Sequence, residues 1–196
     1  QPYAALMQTY LDIIGEFDYI RAKAKLAVDM NAQMPNVVNK AHIELKKAYH
    51  PLLYLYNRKL NKPTIPVTLK LDEKSRILVI SGPNAGGKSV TLKTVALIQY
   101  MLQCGLLIPV HPDSVCTLFD NFFIDIGDEQ SLENDLSTYS SHLMSMKHFV
   151  QFANKKTILF IDEFGTGTEP QFGGAIAESI LLGLNRLGAF GVITTH

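Results

Sequence analysis

Eight consecutive residues carry the clearest chemical pattern in the chain. In order they are Gly82, Pro83, Asn84, Ala85, Gly86, Gly87, Lys88 and Ser89. Their spacing fits G-x-x-x-x-G-K-[ST], a loop in which glycines let backbone N–H groups approach phosphate oxygens. From this position the Lys88 ammonium can reach the β- and γ-phosphates, and the Ser89 hydroxyl can bind magnesium. The pattern predicts a binding site for a nucleoside triphosphate with Mg²⁺.

The sequence on either side of the loop supports this interpretation. Residues 76–81 predict a short buried strand before the loop, and residues 90–103 predict a helix after it, which is the context that the motif requires. The Asn84 amide stands at the loop tip, where it could contact the γ-phosphate or orient an attacking water. A glycine-rich turn before a helix is the alternative, and Lys88 and Ser89 at the required positions argue against it.

Two acidic residues follow an apolar run farther along the chain. Residues 158–161 predict a buried strand, with Asp162 and Glu163 at its carboxyl end, where ligands bind in open α/β sheets. Asp162 is placed to hold magnesium, directly or through water. Glu163 is placed to act on the attacking water as a general base or as a positioning group. Two acids that simply begin a solvated turn are the alternative.

Two further segments could complete a phosphate site. His196 ends the run Thr194-Thr195-His196 after another predicted strand, where it could contact the γ-phosphate; a surface histidine is the alternative. Ser137 is predicted to cap the next helix at its N-terminus, with Ser140 and Ser141 in the first turn. A serine-rich helix start can bind an anion. The long polar loop before it indicates a phosphate supplied from a second subunit, with ordinary helix capping as the alternative.

These segments belong to a regular alternation of strands and helices. Strands are predicted at 67–71, 76–81, 157–161 and 189–195, with further candidates at 106–109 and 115–125, and helices at 90–103, 138–153 and 170–187. The alternation predicts a three-layer α/β domain with a mostly parallel sheet. The helix at 90–103 is apolar nearly all round, so we expect it to be buried.

The chain opens with a long helical pattern over residues 4–33. Its apolar residues recur at steps of four and three, and they are Leu6, Tyr10, Ile13, Phe17, Ile20, Ala24 and Ala27. Such a seam is typical of a helix that packs along another helix. An amphipathic helix of a globular core is an equally weighted alternative. Pro35 is expected to end the helix.

A connecting segment follows, and it divides the chain. Residues 36–66 contain a predicted short strand at 42–45 and a helical piece that runs to residue 60, and Pro63 and Pro66 mark a linker. We therefore predict a long helix at 1–35, a connecting segment at 36–66 and an α/β domain at 67–196. That domain is expected to be truncated at its C-terminal end, because the chain stops directly after a strand.

Composition narrows the class of protein. The chain has 196 residues, of which 47% are hydrophobic, and its 18 basic and 18 acidic residues give no net charge. These totals allow a substantial core and do not indicate a strongly basic nucleic-acid face. Cys104 and Cys116 lack metal-ligand spacing and are interpreted as buried, reduced thiols of an intracellular protein. With no signal peptide and no apolar run of membrane-spanning length, we expect a cytoplasmic protein without a membrane partner.

Together these motifs resemble the ATPase domain of the MutS family, a branch of the ABC-type P-loop ATPases. The matching segments are GPNAGGKSV at 82–90, DEFGTGTEP at 162–170, LSTYSSHL at 136–143, TTH at 194–196, AYHPLL at 48–53 and GEFDYIRAKA at 15–24. They cover nearly the whole chain, with Tyr49 where the family usually has Arg. The run GDEQSLENDLSTYSSHL at 127–143 and Thr-Glu-Pro at 168–170 favour the second MutS subfamily, which lacks the mismatch-reading domain.

The resemblance implies an ABC-type P-loop NTPase fold preceded by a helix from the family's lever region. It also implies that residues 82–90, Val90 included, bind the nucleotide and that Thr64 or Ile65 packs against the base. Ser89 and Asp162 would bind Mg²⁺, and Glu163 and His196 would be catalytic. Ser137 and Thr138 would form a signature that acts in trans on the other subunit's nucleotide. Each nucleotide would lie between the two subunits of a homodimer whose ATPase faces meet head to tail.

The resemblance further implies ATP hydrolysis that drives a conformational change in a DNA-transaction protein of mismatch repair or recombination control. Branched or mismatched DNA would be bound by regions outside this chain, in a cytoplasmic, nucleoid-associated bacterial protein. The family carries a dimer-locking helical segment after the switch histidine, and the chain ends before it. We therefore expect weak dimerisation and weak ATPase activity from the chain alone.

Three other interpretations stay open. A small-molecule kinase would bring lid arginines near its acceptor, and none of the arginines sits in an obvious lid; they are Arg21, Arg58, Arg76 and Arg186. A nucleotide-gated dimerisation module would leave Glu163 without a catalytic role. A transport ATPase of the ABC type would carry a Leu-Ser-Gly-Gly-Gln signature, which the Leu-Ser-Thr at 136–138 does not match.

Overall fold

The computed structural model describes residues 3–83, 87–127, 135–165 and 170–195. For 135–139, 170 and 171 it describes the backbone and not the side chains. Within these residues the helices are α1 (Ala4–Asp29), α2 (Pro51–Lys59), α3 (Lys88–Gln103), α4 (Asp135–Phe152) and α5 (Pro170–Leu187). The strands are β1 (Asn36–Val37), β2 (Ile43–Ala48), β3 (Val67–Leu71), β4 (Ile77–Ser81), β5 (Val115–Cys116), β6 (Asn121–Asp125), β7 (Thr157–Ile161) and β8 (Phe190–Thr195).

One of the two sheets is wholly parallel and has the strand order β4-β8-β7-β6. Every residue of β7 is buried, as expected for a strand covered on both faces. Its side chains alternate between two cores: Ile158 and Phe160 pack in the cluster that contains α3, while Leu159 and Ile161 pack with α4 and α5. The predicted three-layer α/β domain with a mostly parallel sheet is therefore confirmed.

The other sheet is mixed, with the order β1-β5-β2-β3, and the sequence did not indicate it as a separate sheet. The single strand candidate at 115–125 is in fact two strands, because β5 joins the mixed sheet and β6 joins the parallel sheet. The candidate at 106–109 is wrong as a strand: Ile108 forms only an isolated bridge with Gln33. The mixed sheet contributes to the same core as α3, and its β2–β3 pair joins residues on both sides of residue 66.

The connection between β5 and β6 is fixed by two glutamines near the end of α3. Gln99 Nε2 donates to the Thr117 carbonyl at 2.7 Å, and the Phe119 N–H donates to Gln103 Oε1 at 3.0 Å. Gln99 is buried, and a buried amide needs such partners. The last turns of α3 therefore hold the chain where it passes from one sheet to the other.

Helix α1 ends four residues earlier than the sequence indicates. Its C-cap is Met30, and Asn31 follows in the left-handed conformation with φ 49°, a common way for a helix to terminate. The Ala32 N–H then donates to the Ala27 carbonyl at 2.8 Å. Pro35 therefore lies beyond the helix end and does not cause it.

The apolar seam of α1 is exposed over most of its length. Phe17 is 71% exposed and Leu6 is 46% exposed, whereas Ala27 is buried near the helix end. Within the described residues, the first five turns of α1 therefore pack in neither of the two hydrophobic clusters, and the globular-core alternative stays open. The seam along another helix stays a prediction.

The two cysteines differ from each other. Cys104 is exposed just after α3, so the interpretation of both cysteines as buried is wrong for this residue, which lies where the helix surfaces at its C-cap. Cys116 is buried, and burial raises the pKa of its thiol to about 12.

His50 begins α2 as its N-cap. Its Nδ1 accepts from the Leu53 N–H at 3.4 Å, and Pro51 occupies the first helical position, where a missing N–H costs nothing. Burial lowers the pKa of His50 from its ordinary 6.5, and the nearby positive charge of Lys93 lowers it further. The folded state therefore favours the neutral imidazole, which is the form that can accept this bond.

This lowered pKa predicts a loss of stability in mild acid. A neutral His50 contributes its full stabilisation above its unfolded pKa of 6.5, and the contribution is lost as the pH falls through the lower folded pKa. His50→Asn retains a capping side chain that does not titrate. We expect the urea midpoint of the parent to fall more than that of His50→Asn between pH 7.5 and pH 5. Equal falls would contradict the assignment.

A close approach between β7 and β8 makes a second prediction. A Cβ on Gly191 would lie 2.6 Å from Leu159 Cδ1 and 2.8 Å from the Leu159 carbonyl oxygen. Gly191→Ala should therefore destabilise the chain by about 1–3 kcal/mol. The control is Gly174→Ala in α5, where the added methyl meets no atom within 4 Å and should stabilise the helix by about 0.5–1 kcal/mol. Urea unfolding of both variants measures the difference, and a neutral Gly191→Ala would contradict the packing.

Candidate nucleotide-binding site

The loop between β4 and α3 has a backbone that only glycine adopts readily. Gly82 has φ 132° and Gly87 has φ 76°, and nothing lies within 4 Å of the Cβ position of either residue. Gly87 is the N-cap of α3, and Lys88 is its first residue. Open space at both glycines leaves room for a ligand to approach the backbone. Asn84, Ala85 and Gly86, which are part of the predicted loop, lie outside the described residues.

Lys88 is held over this loop. The residue is buried, and its Nζ donates to the Gly82 carbonyl, so the side chain folds back towards the start of the loop. It also lies at the N-terminus of a 16-residue helix, where the helix dipole and unpaired N–H groups favour an anion. The ammonium and the helix end therefore place positive charge at the same point.

Asp162 lies directly beside the start of α3. Its Oδ1 accepts from the Ser89 hydroxyl at 3.1 Å and from the Thr194 hydroxyl, and its backbone N–H donates to the Asp125 carbonyl at 3.0 Å. Asp162 is buried, so the two hydroxyl bonds to Oδ1 offset part of the cost of desolvating the carboxylate. Ser89 and Asp162, the two predicted metal ligands, are 73 residues apart in sequence and adjacent in space.

A hydroxyl and a carboxylate are the oxygen ligands that Mg²⁺ takes from a protein when phosphates and water supply the remainder. Among the described residues, no group of three or more His, Cys, Asp or Glu side chains is placed to hold a metal. A site that needs a full set of protein ligands is therefore not formed in that part of the chain. The Ser89–Asp162 pair fits a cation shared with a phosphate ligand.

Glu163 begins a tight turn that β8 holds in place. Its φ of 53° is left-handed, a conformation that costs a non-glycine residue about 1–2 kcal/mol. The Glu163 N–H donates to Thr194 Oγ1 at 2.9 Å, and the Phe164 N–H donates to the Thr194 carbonyl at 2.8 Å. Strain of this kind is common at functional sites, and here the neighbouring strand supplies the bonds that keep it.

A pocket lies beside this turn, between α4 and α5. Asp125, His142 and Glu163 line its polar side, and His142 Nδ1 lies 2.7 Å from Asp125 Oδ2. The apolar side consists of Leu143, Met146, Ile161, Phe164, Ile176, Ala177 and Ile180. The pocket brings the middle of α4 next to the carboxyl ends of β6 and β7.

The predicted site residues fall into three groups. The structure brings together Gly82, Gly87, Lys88, Ser89, Asp162 and Glu163 around the end of β8. Pro83 follows Gly82, Val90 is exposed in the first turn of α3, and Ile65 is 88% exposed between α2 and β3, so their nucleotide contacts stay predictions. His196 lies outside the described residues.

The predicted trans signature needs one correction. Helix α4 begins at Asp135, so Ser137 lies in the first turn and is not the N-cap. An acidic residue at the start of a helix is favoured by the helix dipole, which accounts for the earlier start. The side chains of Ser137 and Thr138 are outside the description, and their role stays a prediction.

Sequence reasoning missed three residues of the site. Thr194 stands in the run that drew attention to His196, and its own role depends on β8 lying next to β7. Asp125 ends β6 opposite Ile161, and the carboxyl-end rule for parallel strands could have found it. His142 lies within the run at 136–143 that carries the family resemblance, but nothing in the sequence indicates its contact with Asp125.

The parallel sheet, the strand–loop–helix unit and the acids at the end of the neighbouring strand define a P-loop NTPase domain. Comparison with protein families gives the more specific assignment. The family described as MutS domain V matches residues 78–196, which is more than half of the chain. The chain belongs to this family.

The chain is also similar to curated bacterial proteins that carry the name endonuclease MutS2. It is 40% identical to the protein from Leuconostoc mesenteroides over an alignment of 196 residues. That alignment covers 100% of this chain and 24% of the relative. It is 41% identical over 190 residues to a Clostridium botulinum protein, covering 97% and 23%. For Carboxydothermus hydrogenoformans the identity is 40% over 191 residues, covering 97% and 24%. The chain thus spans about a quarter of the length of these relatives.

No helix in the described part of the chain is both long enough and apolar enough to cross a lipid bilayer.

Proposed function

We propose that this chain binds and hydrolyses ATP with Mg²⁺, and that hydrolysis drives a conformational change in a dimeric MutS-type DNA-transaction protein. The observation that carries the proposal is the contact between Ser89 and Asp162, 3.1 Å from Oγ to Oδ1. It places the hydroxyl at the end of the phosphate-binding loop against the acid at the end of β7. That arrangement serves a cation bound between the protein and the β- and γ-phosphates.

The residues have complementary roles in this proposal. The backbone of 82–89 and the Lys88 ammonium bind the phosphates. Ser89 and Asp162 would hold Mg²⁺, which would supply positive charge beside the phosphates. Glu163 orients the attacking water and accepts its proton while the oxygen of that water bonds to the γ-phosphorus and ADP leaves. His196 contacts the γ-phosphate, and Ile65 packs against the adenine.

The dimer is part of the proposal because the run at 136–143 resembles the family's signature stretch, which faces a nucleotide bound to the other subunit. Ser137 and Thr138 of a second copy would reach the γ-phosphate in trans, in a homodimer joined through the ATPase face. We place the chain in the second MutS subfamily, because relatives named MutS2 align over 97–100% of it. Mismatched or branched DNA would be bound by parts of the protein outside this chain, in the bacterial cytoplasm or nucleoid.

Helix α1 gives the proposed conformational change a mechanical element. It is 26 residues long, which is about 39 Å at 1.5 Å per residue, and it exposes an apolar seam. A rigid helix of this length converts a small rotation at its base into a large displacement at its tip. We propose that it belongs to the lever that connects the ATPase domain to DNA-binding regions.

Replacement of the proposed catalytic acid tests hydrolysis. Glu163→Gln removes the carboxylate that accepts a proton and retains the size of the side chain, so turnover of ATP should fall about 10²- to 10⁴-fold while MgATP still binds. Calorimetry measures binding, and phosphate release measures turnover. The matched control is Glu178→Gln, an exposed glutamate on α5, which should hydrolyse at the parent rate.

Two outcomes would replace the proposal with an alternative. Unchanged hydrolysis in Glu163→Gln would favour a nucleotide-gated dimerisation module. Transfer of labelled γ-phosphate from ATP to a small-molecule acceptor, in place of release as free phosphate, would favour a kinase.

Replacement of the buried lysine tests nucleotide binding itself. Lys88→Gln removes the ammonium at the loop, and the loss of a charged hydrogen bond should weaken ATP affinity about tenfold to hundredfold. Lys74→Gln, in the exposed turn before β4, is the control for a change in total charge. Titration calorimetry at equal ionic strength compares the two variants. Equal affinity of Lys88→Gln and the control would place the nucleotide elsewhere.

A further inference from the structure

Thr194 contacts three consecutive residues of the acidic turn. Its hydroxyl donates to Asp162 Oδ1 and accepts from the Glu163 N–H at 2.9 Å, while its carbonyl accepts from the Phe164 N–H at 2.8 Å. Thr194 is completely buried in β8. A single side chain outside the turn therefore contacts both of the acids to which the site assigns chemistry.

The hydrogen bond from the Thr194 hydroxyl to Asp162 determines the orientation of the Asp162 carboxylate. Oδ1 accepts from two hydroxyls, those of Thr194 and Ser89, and two donors on one oxygen fix the rotation of the group. The Ser89 hydroxyl also belongs to the proposed cation site. Thr194 is the donor that can keep the carboxylate in place when the Ser89 oxygen faces a cation.

The hydrogen bond from the Glu163 N–H to the Thr194 hydroxyl holds the Glu163 backbone in its conformation. Glu163 has a left-handed φ of 53°, which non-glycine residues adopt only when surrounding contacts hold them there. The N–H of this same residue is the one that donates to Thr194 Oγ1. Without that acceptor, the peptide would be free to rotate towards a commoner conformation, and the Glu163 side chain would point elsewhere.

We propose that Thr194 is a positioning residue for ATP hydrolysis, and that its one hydroxyl sets the Asp162 carboxylate and the Glu163 backbone relative to each other. The inference rests on the proposed function and extends it to a residue on the strand between the phosphate loop and the acids. A purely structural hydroxyl would affect stability alone. A positioning hydroxyl affects cation affinity and turnover as well.

The experiment compares Thr194→Val, which retains the shape and removes the hydroxyl, with Thr194→Ser, which retains the hydroxyl. The matched control is Thr157→Val. Thr157 is also a buried threonine in the parallel sheet, and its Oγ1 accepts from the Asn154 N–H at 2.9 Å and Asn121 Nδ2 at 3.3 Å. It lies at the opposite end of β7, away from Asp162, so it reports what the loss of a buried hydroxyl does to stability alone.

Four quantities are measured on each chain: the urea midpoint, the affinity for Mn²⁺ by electron paramagnetic resonance with saturating ADP, the kcat for ATP and the KM for ATP. In Thr194→Val, the affinity for Mn²⁺ and the kcat for ATP should each fall about tenfold to hundredfold. This is the range for loss of a hydrogen bond to a charged group. The KM of this variant for ATP should rise with the loss of metal affinity, because a cation shared between the protein and the phosphates links the two affinities. Thr194→Ser should recover most of both losses, and Thr157→Val should change only the urea midpoint.

Parent-like Mn²⁺ affinity and kcat in Thr194→Val, or losses equal to those of Thr157→Val, would overturn the proposal. If Thr194→Val does not fold, Thr194→Cys replaces it, because a thiol of similar size is only a weak donor and should give the same direction of change. Failure of the parent chain to bind ADP or hydrolyse ATP would instead reject the proposed function, and the two failures are therefore distinguishable.

Discussion

The position of β8 between β4 and β7 is the constraint on which the site depends. Because all three strands run in parallel, the loop after Ser81 and the acids after Ile161 emerge at the same edge of the sheet. Ser81 pairs with Thr195, and Ile161 pairs with Ile193, so the register sets how far each strand extends. A slip of one residue between β7 and β8 would turn Thr194 to the opposite face and remove both of its side-chain bonds.

The buried carboxylate of Asp162 accepts hydrogen bonds from two neutral hydroxyl groups. Asp162 is buried, and a buried carboxylate is costly unless it is hydrogen-bonded. The Ser89 and Thr194 hydroxyls meet this requirement at its Oδ1. Hydroxyl donors orient the carboxylate without cancelling its charge, so the charge remains available to attract a cation. A cationic partner in place of the hydroxyls would offset that charge and remove that capacity.

The parallel sheet and the phosphate loop could be predicted because their signals are local. A continuous apolar run such as Ile158–Ile161 identifies a strand buried on both faces, and the glycines of the loop identify the turn that follows β4. The mixed sheet could not be predicted, because β1 and β5 have two residues each and exist only through their pairing. The role of Thr194 was missed for the same reason, since it depends on Glu163 and Asp162, which lie 31 and 32 residues away in the sequence.

The termini of helices were less predictable than the helices themselves. The seam of α1 continues to Ala27, but the helix stops where Asn31 can adopt a left-handed turn. Helix α4 likewise begins at Asp135, so Ser137, which the sequence pattern predicted as the N-cap, lies inside the helix. In both cases the competing residues differ by a few tenths of a kcal/mol to about 1 kcal/mol in capping preference, too little for a local pattern to decide.

Helix α3 connects the phosphate loop with the crossing between the two sheets. Its first residue is Lys88, and Gln99 and Gln103 at its far end hold the backbone at Thr117 and Phe119. A helix of 16 residues is about 24 Å long and is nearly incompressible along its axis. An axial movement of the loop would therefore be transmitted along α3 to the backbone at the crossing between the two sheets.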